Sequence, residues 1–106
     1  MKVHLSKLAA IKTKLLLEYL ENEWSISSKK KFLNQFKKSL KQLSNNPYIF
    51  PESSCRKGIR RLVVTKQTSL LYQIDKDKEL IYVITLFDNR QNPEKIKDEI
   101  NIFFNL

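Results

Sequence analysis

The sequence predicts an α+β fold of the order β-α-α-β-β-β-α, in which an antiparallel helical hairpin packs on a small twisted antiparallel sheet. Two observations predict this layout. Residues 6–44 carry apolar side chains at helical spacing, with no glycine or proline among them. Residues 59–87 form three short apolar segments whose links are too short for parallel crossovers. We expect a single domain over residues 1–106, because a chain of this length has room for one core.

The N-terminal segment Met1–Leu5 alternates apolar and polar residues, which is typical of an edge strand that joins the later sheet. Ser6 follows, with a hydroxyl that can cap the N-terminus of a helix. The helix after it is predicted to run for roughly 17 residues and to have a broad apolar face. Its apolar residues recur at three- and four-residue steps in two rows: Leu8, Ile11, Leu15 and Tyr19, then Leu16, Leu20 and Trp24.

A second helix is predicted after the break at residues 25–28, where Ser27 or Ser28 can cap its N-terminus. Its apolar stripe consists of Phe32, Phe36, Leu40 and Leu43, with Leu33 beside it. The remaining surface carries six lysines and no carboxylate, so packing on other elements must stabilise this helix. Pro47 ends the helix, because its ring disfavours helical geometry at Asn46.

A loop and a meander of strands follow the hairpin. We expect the aromatic residues of 47–51 to fill the seam between the hairpin and the sheet. Gly58, the only glycine, is predicted to supply a positive φ or a bend. The three strands are predicted at Ile59–Lys66, Ser69–Ile74 and Leu80–Phe87. Pro93 then suits the first turn of a short C-terminal helix, with Asn92 as its cap.

The positive charge is unevenly distributed along the chain. The net charge is +9, and residues 1–58 hold twelve lysines and arginines against four carboxylates. Residues 59–106 hold eight basic and seven acidic residues, so they are almost neutral. This asymmetry favours an anionic partner such as a nucleic acid, a ribosome or an acidic protein. The alternative is a lysine-rich helix face that is merely solvated.

Several classes of function are disfavoured by composition. No apolar run reaches the roughly 18 residues of a membrane span, and no signal peptide is evident, so we expect a cytoplasmic protein without membrane association. One cysteine, Cys55, excludes an internal disulfide. His4 and Cys55 are too few and too distant in sequence for a metal site, and one glycine excludes a phosphate-binding glycine loop. We therefore expect no metal and no cofactor.

Basic side chains near the sheet are the candidates for phosphate or target contacts: Arg90, Arg61, Arg60, Lys66, Arg56 and Lys57. Arg60 and Arg61 must point to opposite faces of their strand. The alternative for either is an ion pair with Glu52, Asp75 or Asp88. Arg90 follows a strand, where loops on rigid scaffolds often carry binding groups, and its alternative role is a hydrogen bond that braces the loop. Tyr72 and Tyr82 are interpreted as packing residues.

Four stretches, in this order, resemble the RelE/ParE superfamily of toxins from bacterial type II toxin–antitoxin systems. They are Ser6–Leu20, Leu43–Pro47, the Gly-Ile-Arg-Arg-Leu-Val-Val segment at 58–64, and Leu70–Pro93 with its Ile-Thr-Leu-Phe-Asp-Asn-Arg-Gln-Asn-Pro ending. The resemblance covers most of the chain. It implies a helical hairpin on a twisted antiparallel sheet, as the residue pattern also predicts.

The superfamily includes ribosome-dependent mRNA nucleases of the RelE type and non-nuclease toxins of the ParE type that poison DNA gyrase. In the nuclease branch an arginine precedes the Leu-x-Tyr of the second long strand, and a tyrosine follows the last arginine. This chain has Ser69 at the first place and no tyrosine after Arg90. The missing arginine would remove a charge that stabilises the scissile phosphate, and the missing tyrosine would remove a candidate base. The resemblance thus favours the ParE-like branch, with no catalytic residue assigned.

The expected partners follow from this resemblance. A cognate antitoxin should bind the toxin through an acidic or amphipathic segment, and the two chains could form a hetero-oligomer. DNA gyrase is the expected target. The alternatives are a RelE-like nuclease that acts on mRNA in the ribosome, and a basic module that binds nucleic acid directly.

Overall fold

The computed structural model describes residues 1–105. The predicted α+β fold and its element order are confirmed. The elements are β1 (Lys2–Leu5), α1 (Lys7–Glu23), α2 (Ile26–Asn45), β2 (Arg60–Val63), β3 (Thr68–Asp75), β4 (Leu80–Asp88) and α3 (Pro93–Asn105).

The sheet has the strand order β1-β4-β3-β2. Strands β2, β3 and β4 form the predicted antiparallel meander, with an irregularity in the pairing at Leu71 and Tyr72. Strand β1 lies at the predicted edge but pairs with β4 in parallel, so the sheet is mixed rather than wholly antiparallel. Parallel pairing is possible here because both long helices and two further strands separate β1 from β4 in the chain.

Apolar residues are buried on both faces of the sheet. The hairpin of α1 and α2 covers one face, where Phe36, Leu43, Leu62, Leu70 and Val83 belong to one buried cluster. Helix α3 covers the other face, where a second cluster contains Ile59, Leu71, Ile84, Ile96 and Ile100. Strands β3 and β4 therefore lie in the middle of the sheet with both faces covered by helices, which explains why their sequences are apolar on both sides.

Serine residues cap both helices of the hairpin. The Ser6 hydroxyl accepts a hydrogen bond from Ala9 N at 2.9 Å, as predicted, and also donates to the Ile84 carbonyl at 2.6 Å. Ser25 caps α2 by accepting from Ser28 N at 3.0 Å, so the predicted cap at Ser27 or Ser28 is wrong. The helices are joined by only Trp24 and Ser25, and α2 therefore begins before the serine pair.

Helix α1 is apolar on two sides, and only one side faces the core. Ala9, Thr13, Leu16 and Leu20 face the sheet or α2, either buried or half-buried. Most of the first predicted apolar row lies on the opposite side, in solvent: Ile11 is 48% exposed, Leu15 57% and Tyr19 54%. We call these three residues the α1 stripe.

The loop before the sheet is only partly buried. Phe50 packs edge-on against Tyr72, with ring centroids 6.5 Å apart, but Tyr48 and Ile49 are 52% and 69% exposed. The prediction that the aromatic loop as a whole fills the seam is therefore wrong. Gly58 has a φ of +86°, so the first of its two predicted roles, a positive φ, is the one that the structure shows.

The ends of the elements differ from the predictions by a few residues. Strand β2 ends at Val63 rather than Lys66, because Val64 N donates to Thr68 O at 2.9 Å and closes a tight turn. Pro93 opens α3 as predicted, and Asn92 Oδ1 accepts a hydrogen bond from Glu94 N at 3.0 Å.

Candidate functional site

A groove of about 800 Å³ lies where the loop end of the helical hairpin meets the ends of β2, β3 and β4. Its apolar wall is formed by Leu16, Tyr19, Leu20, Trp24, Phe32 and Val64. Its polar members include Lys31, Gln35, Thr65, Asp88 and Arg90. We call this feature the hairpin groove. Tyr19 belongs both to the groove and to the α1 stripe, so the groove wall and the exposed apolar side of α1 share this residue.

Arg90 stands at the rim of the hairpin groove and is paired with Asp88. Its Nη2 donates to Asp88 Oδ2 at 2.7 Å, and its Nε donates to Asp88 Oδ1 at 3.0 Å. These side-chain hydrogen bonds, together with one from Arg90 N, lower the pKa of Asp88 to about 2. The Arg90 side chain remains 78% exposed, so the pair braces the loop while the guanidinium stays accessible.

Arg61 lies on the opposite face of the sheet, in a cluster with Ser69 and Asn89. Arg61 Nε donates to Ser69 Oγ at 3.2 Å, and Arg61 Nη2 donates to Asn89 Oδ1 at 3.0 Å. Ser69 is fully buried and its hydroxyl donates to the same Asn89 oxygen at 2.5 Å. The Arg61 guanidinium also lies 5.3 Å from the centroid of the Phe87 ring. Arg61 thus brings a positive charge to the position of Ser69 from the neighbouring strand.

The other predicted basic residues do not join a single site. Arg60 Nη1 donates to the carbonyl oxygens of Tyr48 at 3.1 Å and Phe50 at 2.6 Å, and so holds the loop before the sheet. Arg56 lies 4.2 Å from the centroid of the Phe104 ring in α3. Lys57 and Lys66 are exposed on loops. The structure therefore separates Arg60 from Arg61, and it places Arg90 alone beside the hairpin groove.

Tyr72 has the packing role that the sequence predicts, and His4 lies at the edge of the sheet. Tyr72 is fully buried, and its hydroxyl donates to Pro47 O at 2.6 Å. Burial raises the pKa of Tyr72 to about 12, so its phenol remains protonated at neutral pH. His4 is exposed on the edge strand β1, where its ring lies 5.1 Å from the Tyr82 ring. Across residues 1–105, no cluster of three His, Cys, Asp or Glu side chains could hold a metal ion.

Two features of the site escaped sequence reasoning. The first is the exposure of the α1 stripe, although the two apolar rows of α1 together are too wide for one buried face and could have signalled it. The second is the Arg61–Ser69–Asn89 cluster, whose members lie up to 28 residues apart in the chain. Neither pattern nor spacing connects those three residues.

In the described part of the chain no helix is long and apolar enough to cross a membrane.

Residues 3–93 match the family model described as "ParE toxin of type II toxin-antitoxin system, parDE". A comparison with curated proteins finds no match.

Solved structures share the fold. A chain of the chromosomal ParDE TA system from P. aeruginosa is similar with a TM-score of 0.69 and 14% identity, over 83% of this chain and 95% of that one. The YoeB/ParE toxin from Agrobacterium tumefaciens is similar with a TM-score of 0.63 and 10% identity, over 84% of this chain and 99% of that one.

Proposed function

Because this chain belongs to the family of ParE toxins of type II toxin–antitoxin systems, we propose that it arrests growth by binding DNA gyrase and that a cognate antitoxin neutralises it. It acts as a ligand of its target and not as a nuclease. The Ser69 hydroxyl, which is buried and already hydrogen-bonded, is the observation that carries the non-nuclease part of this proposal, and the hairpin groove supports the antitoxin part.

The chemistry around Ser69 favours binding over cleavage. The Ser69 hydroxyl is buried and already donates to an amide oxygen, so it is not a free nucleophile. Arg61, its other partner, stays protonated at neutral pH and cannot remove a proton from an attacking hydroxyl. General base catalysis needs a group that can accept that proton within hydrogen-bonding reach. Neither hydrogen-bonding partner that the structure describes for Ser69 is such a group.

The antitoxin segment that we propose is an amphipathic helix with acidic residues along one edge. Its apolar side would cover the α1 stripe and the apolar wall of the hairpin groove, which otherwise expose Leu15, Tyr19 and Trp24 to water. Its carboxylates would meet Lys31 and Arg90 at the groove. The toxin's net charge of +9 favours rapid association with an acidic chain. We expect a Kd of about 1 nM, equivalent to about −12 kcal/mol.

A supercoiling assay tests the target. The purified toxin should inhibit negative supercoiling by DNA gyrase, and Arg90→Ala should weaken the inhibition because it removes the accessible guanidinium at the groove. Lys76→Ala, in the turn between β3 and β4, is the matched control and should inhibit like the unchanged toxin. Full gyrase activity at toxin concentrations that arrest growth would contradict the gyrase proposal.

Ribosome-dependent mRNA cleavage is the second candidate function, because Arg61 supplies a guanidinium at the position where the nuclease branch has its arginine. Mapping mRNA ends after incubation with translating ribosomes separates the two. We expect no specific cuts in the ribosomal A site. Cuts that disappear in both Arg61→Gln and Arg90→Ala would replace the gyrase proposal with this one.

The antitoxin surface is tested by a pair of charge substitutions at exposed apolar residues. Leu15→Glu in the α1 stripe should weaken antitoxin binding by more than about tenfold, since it places a carboxylate against an apolar and acidic partner. Ile102→Glu on α3 is the control, because Ile102 is 61% exposed and Leu15 is 57% exposed. Equal effects of the two substitutions would contradict the assignment of this surface.

A further inference from the structure

The outer side of α2 is a dense basic surface without neutralising carboxylates. Helix α2 contains six lysines and no acidic residue over Ile26–Asn45. Of its five exposed lysines, Lys31 lines the hairpin groove, and we call the other four the lysine face: Lys30, Lys37, Lys38 and Lys41. At about 100° of rotation per residue, all four project within about 60° of the direction opposite to the buried Phe32, Phe36 and Leu43.

The lysine face is electrostatically unpaired within residues 1–105. The ion pairs of that range join Lys12 to Glu99, Lys29 to Glu21 and Arg90 to Asp88, and none includes a member of the lysine face. Like charges three and four residues apart destabilise a helix, so the face weakens α2 and packing of its apolar side must compensate. The N-terminal ammonium group of Met1 adds a further positive charge at the end of α2, where it donates to Ser44 O at 2.9 Å.

The geometry of the lysine face suits a regular row of phosphates. With a rise of about 1.5 Å per residue, Lys30 and Lys41 lie about 16 Å apart along the helix axis. Four ammonium groups over that length form a dense positive row, which can neutralise several phosphates of a duplex that carries one negative charge per about 1.7 Å of its axis. A lysine ammonium binds phosphate as a point charge, and contacts to phosphates position a protein on a duplex without reading its sequence.

Duplex nucleic acid fits this surface better than single strands do. Proteins that bind single strands stack bases on aromatic side chains, and α2 carries its aromatic residues, Phe32 and Phe36, on the buried side. We propose that the lysine face of α2 binds the phosphate backbone of duplex DNA without sequence preference. This surface is distinct from the hairpin groove, and the proposal does not depend on the identity of the toxin's target.

The test compares two variants with the same net charge. One replaces the lysine face (K30Q/K37Q/K38Q/K41Q), and the other replaces exposed lysines close in sequence to carboxylates (K76Q/K78Q/K95Q/K97Q). Binding of each to a fluorescent DNA duplex is measured by anisotropy over a range of salt concentrations. The unchanged toxin should show a log–log salt slope of about −3.6, for four phosphate contacts, and bind about 150-fold more weakly at about 200 mM than at about 50 mM salt.

The lysine-face variant should lose most of its affinity and of its salt dependence, whereas the control variant should keep both. Circular dichroism should show both variants folded, because all eight lysines are exposed. Equal losses in the two variants would overturn the proposal, since only net charge would then matter. Absence of duplex binding by the unchanged toxin would overturn it as well, and so would tighter binding to duplex RNA or to polyglutamate than to duplex DNA.

Discussion

At the scale of single residues, the Tyr72 hydroxyl links the sheet to the exit of the helical hairpin. The Tyr72 side chain is fully buried, and its hydroxyl donates a hydrogen bond of 2.6 Å to the carbonyl oxygen of Pro47, which lies 25 residues earlier in the chain. The bond satisfies a carbonyl at the point where α2 has ended and the chain turns toward the sheet. Tyr72 is therefore a structural residue, as its place in an apolar strand suggests.

Tyr72→Phe should lower the free energy of unfolding by about 1–3 kcal/mol, because the Pro47 carbonyl loses its partner in a buried site. Tyr48→Phe is the control, since Tyr48 is 52% exposed, and should change stability little. Urea denaturation measures both. Equal stabilities of the two variants would contradict the assigned role of the hydroxyl.

The raised pKa of Tyr72 predicts that the fold loses stability at high pH. Burial raises the pKa of Tyr72 from 10.0 to about 12, so the folded state favours the neutral phenol. The corresponding stabilisation is fully present below about pH 10 and is lost as the pH rises through about 12. Absorbance titration should show a tyrosine ionisation near pH 12, and this step should be missing in Tyr72→Phe.

The lowered pKa of Asp88 predicts that the fold loses stability in strong acid. Its pKa is lowered to about 2 by the hydrogen bonds from Arg90, so the pair stabilises the fold above about pH 4 and this contribution disappears as the pH falls through about 2. Arg90→Ala should raise the pKa of Asp88 toward 3.8, measured by carboxyl-carbon NMR. Lys76→Ala should leave it unchanged. The effect on stability should be small, because the pair is exposed to solvent.

At the scale of elements, each helix depends on a small number of polar anchors. Helix α2 begins at the Ser25 cap. Helix α3 is anchored to the sheet by Glu99, which accepts hydrogen bonds from the buried Thr85 hydroxyl at 2.6 Å and from Lys12 Nζ on α1. The family match covers residues 3–93, and α3 lies almost wholly beyond it.

Ser25→Ala should destabilise the protein by about 1 kcal/mol, because Ser28 N loses its capping acceptor. Ser27→Ala, at a position that sequence alone favoured as the cap, should change stability by less than about 0.5 kcal/mol. Thermal unfolding compares the two directly. A larger effect at Ser27 would place the start of α2 later than the structure does.

Glu99→Gln should loosen α3, because the Lys12 ammonium loses a half-buried carboxylate partner. We expect a loss of about 1–3 kcal/mol and faster amide hydrogen exchange in α3. Glu94→Gln, at an exposed position in the first turn of α3, is the control. Unchanged exchange in Glu99→Gln would show that apolar packing alone holds the helix.

At the scale of the whole molecule, the surface is divided between an apolar region and a basic one. The α1 stripe and one wall of the hairpin groove are apolar, and the outer side of α2 carries the lysine face. Both belong to the same helical hairpin, whose remaining sides pack on the sheet. One compact scaffold therefore presents two chemically different surfaces, and each can serve a different partner.

The fluorescence of Trp24 reports on the apolar surface at the hairpin groove. It is the only tryptophan, it is 71% exposed, and it belongs to the wall of the hairpin groove. Binding of the cognate antitoxin should therefore shift Trp24 fluorescence to shorter wavelengths and protect it from soluble quenchers. Titration of the toxin with a duplex should leave Trp24 emission unchanged if DNA lies on the lysine face. A tight toxin–antitoxin complex without any change at Trp24 would contradict the proposed antitoxin surface.

The order of the elements, the cap at Ser6 and the end of α2 before Pro47 could all be predicted from sequence alone. These features depend on residues close together in the chain, through backbone geometry and local hydrogen bonds. The family resemblance was accessible for the same reason, because its stretches keep their order and spacing.

Three features depend on the tertiary structure: the side of α1 that is buried, the parallel pairing of β1 with β4, and the different contacts of Arg60 and Arg61. Helix α1 is apolar on two sides, so its periodicity is compatible with either side in the core, and contact with α2 and β4 selects one. Arg60 and Arg61 are adjacent in sequence, yet one holds a loop and the other joins Ser69 and Asn89 on the far face. Such choices depend on the partner that the folded chain places opposite each side chain, which local sequence does not encode.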